Sequence, residues 1–125
     1  MGVVMSLYDA IGGAAAVDAA VDRFYDKVLG DPLLAPFFAS MDMESQRRKQ
    51  KAFFGTLFKG QADGVQTYMR NAHKRLVDEG RIGDAHFDAV ARHLQSTLED
   101  LTVPADLIVQ IMGAAAGLRN AVLGR

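Results

Sequence analysis

Apolar residues recur along this chain at intervals of three and four positions, and strict alternation of apolar and polar residues is almost absent. Such spacing predicts amphipathic helices and an all-α fold. Capping residues, glycines and prolines between the apolar runs set the boundaries. The first predicted segments are a short helix capped by Ser6 and stopped at Gly12, a helix over 14–29, and a helical turn opened by Asp31 and Pro32. A helix over 43–59, a loop over 59–64 and a helix over 65–79 follow. Two long helices, opened by Asp84 and by Pro104, complete the prediction.

The helix predicted over 43–59 carries polar residues on its apolar face. Phe53 and Phe54 mark that face. Intervals of three and four residues place Gln50, Gln46 and Met43 on it as well. Burying an amide is costly unless it finds a hydrogen-bonding partner. The two glutamines therefore indicate either a functional pocket or a helix rotated so that both amides meet water.

Among the three histidines, His73 is the one that lies within an apolar face, between Ala72 and Leu76. His86 and His93 are seven residues apart. That separation is about 10 Å along a helix axis, too far for a shared metal ion, and both rings are expected to face solvent. His73 is therefore either a core histidine with a satisfied hydrogen bond or the one protein ligand of a metal held by a porphyrin.

Tyr25 interrupts the apolar stripe of the helix predicted over 14–29. Taken alone, it fits a core residue whose hydroxyl reaches the surface. With the amides of Gln46 and Gln50, it forms a set of hydrogen-bond donors facing a cavity lined by aromatic rings. Such donors stabilise a metal-bound ligand that takes on negative charge, by about 0.5–1.5 kcal/mol per bond and more for a charged acceptor. The rings expected to line the cavity belong to Phe37, Phe38, Phe53 and Phe54.

Composition narrows the class of protein. The chain has 125 residues, of which 50% are apolar and 23% charged, as expected for one globular domain over 1–125. A net charge of -1 argues against nucleic acid or an anionic membrane as partner. The absence of cysteine excludes disulfides, iron–sulfur clusters and cysteine zinc sites, and suits a reducing cytoplasm. We expect neither a signal peptide nor a membrane span. The basic cluster expected on a solvated helix face is Arg47, Arg48, Lys49 and Lys51.

The order and spacing of these residues resemble those of the group I truncated haemoglobins, from Ser6 to about Leu123. The segments that carry the resemblance are residues 6–13 (SLYDAIGG), Phe24-Tyr25, Val28-Leu29, Pro36-Phe37-Phe38, Met43, Gln46, Gln50, Phe53-Phe54, Ala72-His73-Lys74, His86-Phe87, His93-Leu94 and Val103-Pro104. The resemblance implies a two-over-two helical sandwich, smaller than the usual globin fold, enclosing haem b.

The resemblance also implies which residues face the iron. His73 matches the proximal iron ligand. Tyr25, Gln46 and Gln50 match the distal polar positions. The iron is expected to be five-coordinate, although Tyr25 or Lys49 can approach it when no gas is bound. No histidine lies near Lys49, so a bis-histidine iron is not expected.

Further residues match positions that surround the haem itself. Phe38 matches an aromatic position that packs on haem, and Lys49 matches a position that can pair with a propionate. Phe54 matches a residue suspected of gating an apolar gas tunnel. The small residues over 113–117 can leave room for such a tunnel, but close helix packing is the favoured interpretation. The other residues expected to contact the cofactor are Phe53, Met69 and Phe87.

Two departures from the family pattern bear on the site. Where the family often has Gly-Gly-Pro, this chain has Lys59-Gly60-Gln61, so the loop before the proximal helix is expected to differ. The last helix contains no histidine, so the covalent haem link that some relatives make there is not available.

The resemblance implies reversible binding of oxygen, and of NO and CO, for transport or storage. An alternative is nitric oxide dioxygenation, which needs a separate reductase because this chain has no flavin or nicotinamide domain. A gas sensor is a weaker alternative, since the globin resemblance leaves no part of the chain for an output domain. A helical protein without a cofactor would leave Gln46, Gln50 and His73 unexplained. We expect a monomer, because no apolar stripe exceeds what the core needs.

Overall fold

The computed structural model describes residues 6–59 and 64–125, and nearly all of them lie in helices or short turns. The elements are α1 (Leu7–Ile11), α2 (Gly13–Leu29), a 3-10 helix (Ala35–Phe38), α3 (Met43–Phe58), α4 (Val65–Asp78), α5 (Asp84–Asp100), α6 (Ala105–Ala116) and α7 (Arg119–Val122). The all-α prediction is confirmed for these residues. Within the same two ranges, no helix combines the length and apolar character needed to cross a bilayer. Most of the predicted 59–64 loop, including Gly60-Gln61, lies outside the described residues.

The junction between α1 and α2 follows the predicted capping pattern. The Ser6 hydroxyl oxygen accepts the Asp9 N–H at 3.1 Å and so begins α1. Gly12 ends α1 with a φ of +118°, a left-handed conformation that costs glycine little. A Cβ at Gly12 would lie 3.1 Å from the Cβ of Ala16. Gly12 therefore lets α2 start immediately after α1.

The predicted start of the long fifth helix is wrong by one residue. Its N-cap is Gly83, and Asp84 is already part of α5. The Asp84 carboxylate does not cap the helix, because it accepts hydrogen bonds from Arg119 at 3.0 Å and Arg125 at 2.7 Å. Both partners come from the end of the chain, so the local sequence gives no sign of them.

The last predicted helix is interrupted. α6 ends at Ala116, and α7 begins at Arg119. Between them, the Leu118 N–H bonds to the Ala115 carbonyl at 3.0 Å, a tighter turn than that of an α-helix. Gly117, a residue of low helix propensity, lies at this break.

The helical turn after α2 opens at Asp31, as predicted. The Asp31 main-chain carbonyl oxygen accepts the Leu34 N–H at 3.0 Å and the Ala35 N–H at 2.8 Å, and its carboxylate accepts the Leu33 N–H at 2.9 Å. The 3-10 helix follows directly from Ala35. It brings Phe38 against the core.

The core lies around α2, which packs against both α3 and α5. α5 also packs on α6, while α4 packs on α7. Burying apolar side chains of several helices together is the main stabilising contribution to such a fold. The buried core residues are Val17, Val21, Phe24, Tyr25, Val28, Leu34, Phe54, Phe58, Ala89, Leu94, Leu98 and Ile111.

The apolar stripe of α6 faces the core. Its residues Leu107, Ile108, Ile111, Met112 and Ala115 are buried or half-buried, whereas Val109, outside the stripe, is 72% exposed. In the 113–117 run, Ala115 packs against the core, but the two glycines are not sites of close helix packing. A Cβ at Gly113 would meet no atom within 4 Å, and one at Gly117 would meet only carbonyl oxygens of its own helix.

Candidate functional site

The ring of His73 is oriented by its own helix. Its Nδ1 lies 2.8 Å from the Met69 carbonyl oxygen, one turn earlier in α4. A carbonyl oxygen only accepts hydrogen bonds, so Nδ1 carries the proton and Nε2 keeps a free lone pair. His73 is half-buried. This tautomer is the one in which a histidine binds a metal through Nε2 with its other nitrogen hydrogen-bonded.

The end of the chain anchors the helix that carries His73. Arg70 donates to the Arg125 carbonyl oxygen at 3.1 Å. Near the start of α4, the Gln66 amide donates to the Gly117 carbonyl oxygen at 3.2 Å. Both bonds supplement the packing of α4 on α7. The position of His73 therefore depends on α6 and α7.

Tyr25 and Gln46 form a hydrogen-bonded pair between α2 and α3. The Gln46 Nε2 donates to the Tyr25 hydroxyl oxygen at 3.1 Å, and Tyr25 is only 2% exposed. Because the hydroxyl oxygen accepts this bond, its hydrogen remains available to a further acceptor. Gln50 lies one turn further along α3 and is half-buried.

The phenol of Tyr25 is held in its protonated form. Burial raises its pKa above the usual value, and the Gln46 hydrogen bond and the Arg47 charge oppose that rise only in part. The hydroxyl therefore acts as a donor at neutral pH.

Aromatic rings contact Tyr25. Its ring makes edge contacts with Phe24 at 5.2 Å and with Phe38 at 5.7 Å between centroids. In α3, the Phe53 and Phe54 rings lie 5.7 Å apart, and Phe54 belongs to the same buried core as Tyr25. Because Tyr25 is only 2% exposed, its surroundings are of low polarity, which strengthens any hydrogen bond that the hydroxyl makes.

Phe53 also connects α3 with α4. Its ring stacks on Tyr68 with centroids 6.1 Å apart. Tyr68 was not among the candidate residues, although it lies only five positions before His73 in the same helix. Within the described residues, no hydrogen bond or ring contact links His73 directly to Tyr25 or Gln46.

Phe87 on α5 and Lys49 on α3 are the two remaining candidate residues on other parts of the helices. The Arg119 guanidinium lies over the half-buried Phe87 ring, 4.5 Å from its centroid. Lys49 is exposed on α3 and makes no ion pair with the residues that the structure describes. It is therefore available to an anionic group at the edge of a ligand.

The basic cluster is only partly a solvated face. Arg47 pairs with the carboxylates of Asp22 and Asp26, each at 3.2 Å. Lys51 lies 3.6 Å from Asp22. Half of the cluster therefore attaches α3 to α2, while Lys49 stays in solvent.

The expectation that His86 and His93 face solvent is wrong. His86 is half-buried, accepts the Gly83 N–H at 3.0 Å, and packs its ring edge-on to Phe37 at 5.5 Å. The Nε2 of His93 lies 2.7 Å from the Asp31 carboxylate. Both histidines have structural partners and lie on α5.

The donor set around His73 fits haem. Among the described residues, no group of three or more histidine, cysteine, aspartate or glutamate side chains can hold a metal ion. A metal at His73 must therefore bring most of its own ligands, as a porphyrin does with four nitrogens. When haem is bound, the free Nε2 of His73 would supply a nitrogen ligand, the aromatic rings would supply apolar contacts, and Lys49, which pairs with no acid among the described residues, would supply a cation for a propionate.

Comparison with known proteins supports the same fold. The sequence profile of the bacterial-like globin family matches residues 6–123. A group 1 truncated haemoglobin of Synechocystis sp. is 46% identical over 110 residues, which are 88% of this chain and 89% of that protein. The 2/2 haemoglobin of Synechococcus sp., crystallised in the cyanomet state with covalently attached haem, superposes with a TM-score of 0.87 at 40% identity, covering 97% of this chain and 100% of that chain. The truncated haemoglobin of Tetrahymena pyriformis in its Fe(III) form superposes with a TM-score of 0.81 at 31% identity, with the same coverage of 97% and 100%. The expected two-over-two helical architecture is confirmed.

Proposed function

The chain belongs to the bacterial-like globin family as a group I truncated haemoglobin, a haem-binding globin fold, and we propose that it binds haem b through His73. The observation that carries this proposal is the 2.8 Å hydrogen bond between the His73 Nδ1–H and the Met69 carbonyl oxygen. It fixes the ring and keeps Nε2 free for iron. When bound, haem would supply an iron that takes up a diatomic gas.

The proposed activity is reversible binding of oxygen, and of NO and CO, for transport or storage. The Tyr25 hydroxyl, with its hydrogen free, donates to the bound gas, and the Gln46 amide holds that hydroxyl in place. Gln50 adds a second donor one turn along α3. These donors favour a ligand that carries negative charge, which oxygen does more than CO. Slow oxygen release is the expected consequence.

Other residues hold the cofactor in the proposal. Lys49 pairs with a haem propionate, and Phe38, Phe53 and Phe87 pack on the porphyrin. Met69 contributes its carbonyl oxygen to His73 and its side chain to the pocket wall. We further propose that residues 1–125 form one globin domain that acts as a cytoplasmic monomer.

The Tyr25–Gln46 pair also suits a second activity, nitric oxide dioxygenation. A donor that retains bound oxygen gives nitric oxide time to reach it. Turnover would need electrons from a separate reductase. Mixing the oxygenated protein with nitric oxide in a single turnover tests this: nitrate and ferric protein within milliseconds support it, and slow conversion contradicts it.

The test of the haem proposal is spectroscopic. Hemin is added to the purified protein, and absorption is recorded in the ferric, dithionite-reduced and CO-bound forms. A sharp Soret band and a CO complex that persist after desalting are expected. In His73→Gly, both are expected to weaken, and added imidazole should restore them by occupying the space of the missing ring.

The matched control is His93→Gln, which removes a histidine on another helix and keeps a polar group for Asp31. It should retain wild-type spectra. Loss of the spectra in both variants, or in neither, would contradict the assignment of His73. Failure of the wild type to retain haem would contradict the function itself.

A further inference from the structure

Arg47 lies directly after Gln46 in α3, and its side chain reaches across to α2. One guanidinium nitrogen donates to the Asp22 main-chain carbonyl at 3.0 Å and to the Asp22 carboxylate at 3.2 Å. The other donates to the Asp26 carboxylate at 3.2 Å. These three bonds hold the guanidinium over one turn of α2.

Tyr25 lies within that same turn, between the two carboxylates. The Arg47 guanidinium carbon is 5.6 Å from the centroid of the Tyr25 ring, within the range of a cation–π contact. The side chain of Arg47 is 23% exposed, whereas Asp22 and Asp26 are 54% and 75% exposed. Arg47 is thus the more enclosed member of the network and contacts the ring directly.

We propose that Arg47 is a positioning residue for the Tyr25–Gln46 pair. Fixed on α2 by Asp22 and Asp26, it holds α3 where the Gln46 amide meets the Tyr25 hydroxyl, and it restrains the ring from one face. The effect on bound gas rests on the proposed function, but the positioning itself needs no haem.

The chemistry of arginine suits this role. Its planar fork reaches a carbonyl and two carboxylates at once, which a lysine ammonium cannot do with the same geometry. Its positive charge also lowers the pKa of the Tyr25 phenol, against the larger effect of burial. Loss of Arg47 leaves Asp22 with Lys51 at 3.6 Å, and both carboxylates stay largely in solvent, so variants should fold.

The test compares Arg47→Met and Arg47→Lys with the control Arg48→Met, which removes an exposed cation from the next position. The first measurement is ¹³C NMR of tyrosine Cζ against pH in the CO-bound protein, with Tyr8 as internal reference. In Arg47→Met, the Tyr25 resonance should begin to shift at a higher pH than in wild type. In Arg47→Lys, which keeps the charge, it should stay near wild type.

The second measurement is oxygen release by stopped flow. Arg47→Met should release oxygen about two- to fivefold faster, less than the effect of losing the whole Tyr25 hydrogen bond, because the hydroxyl stays present but is held less well. Arg47→Lys should recover part of this difference, and Arg48→Met should match wild type. Equal behaviour of Arg47→Met and Arg48→Met in both measurements would overturn the proposal, as would faster release without a change at Tyr25. If the protein retains no haem, the proposed function fails, while the Tyr25 titration of the haem-free protein still tests whether the Arg47 charge lies against the ring.

Discussion

Replacing Tyr25 by phenylalanine removes one oxygen atom from the centre of the candidate site. The ring is 2% exposed and its edge contacts with neighbouring phenylalanines should survive the change. What is lost is the acceptor for Gln46 at 3.1 Å and the donor for a bound gas. The substitution therefore separates the contribution of this hydroxyl to stability from its contribution to ligand binding.

The expected loss of stability is small. A net hydrogen bond contributes about 0.5–1.5 kcal/mol, and the half-buried Gln46 amide can bond to water instead. The effect on ligand binding should be larger, because a hydrogen bond to a charged acceptor is worth about 1.5–3 kcal/mol. At about 1.4 kcal/mol per factor of ten, Tyr25→Phe should release oxygen roughly 10- to 150-fold faster.

The assay is stopped-flow mixing of the oxygenated protein with excess CO, followed by the rate of autoxidation in air. Both rates should rise. The control is Tyr68→Phe, the same chemical change at a ring that is 51% exposed, and it should leave both rates unchanged. An oxygen release rate within twofold of wild type in Tyr25→Phe would refute the assignment of Tyr25 as a ligand donor.

Four further substitutions test the fold. Gly12→Ala should lower the free energy of unfolding, measured by urea titration, by about 1–2 kcal/mol, because φ is +118° there. Gly113→Ala should raise it by about 0.5–1 kcal/mol, because Gly113 is at a helical position with open space around a Cβ. Thr97→Val should raise it by about 1 kcal/mol and increase Tm, because the Thr97 hydroxyl is fully buried and has no hydrogen-bond partner within 6–59 and 64–125. Asp31→Asn should destabilise the protein near neutral pH and approach wild-type stability as pH falls below 3.8, because the His93 hydrogen bond lowers the pKa of Asp31 and that stabilisation is lost on protonation.

Each of these predictions has an outcome that contradicts it. The two alanine variants contradict the backbone argument if they change stability in the same direction. A destabilised Thr97→Val would mean that the hydroxyl has a partner, and Thr97→Ser, which keeps the hydroxyl, serves as its control. For Asp31→Asn, a difference from wild type that stays constant from neutral pH down to 3 would exclude a role for the carboxylate charge.

The residues of the candidate site could be found from sequence because they break a periodic pattern. Gln46 and Gln50 stand out only because Phe53 and Phe54 define the apolar face of their helix, and His73 stands out in the same way. The periodicity does not show that the Gln46 amide binds the Tyr25 hydroxyl, since that bond joins residues 21 positions apart. The spacing of residues predicts which face of a helix a side chain lies on, but not which residue of a neighbouring helix it bonds to.

Errors in the sequence predictions have the same cause. Asp84 is of a residue type that often caps helices, yet it pairs with arginines more than 30 positions away. The sequence spacing places His93 beside the apolar stripe of its helix, yet it bonds to Asp31, 62 positions earlier. A polar residue has several local uses, and tertiary contacts decide among them. Arg47 was placed in solvent for this reason.

The two sides of the site differ in how far along the chain their hydrogen bonds reach. The bond that orients His73 closes within four residues of one helix, whereas the Tyr25–Gln46 bond requires α2 and α3 to be docked. Contacts between distant segments are lost whenever those segments separate, while contacts inside a helix persist as long as the helix does. Partial unfolding that separates α2 from α3 should therefore break the Tyr25–Gln46 bond while the His73 ring stays oriented. On the proposed function, a protein opened in this way would keep its iron ligand and lose its discrimination among gases.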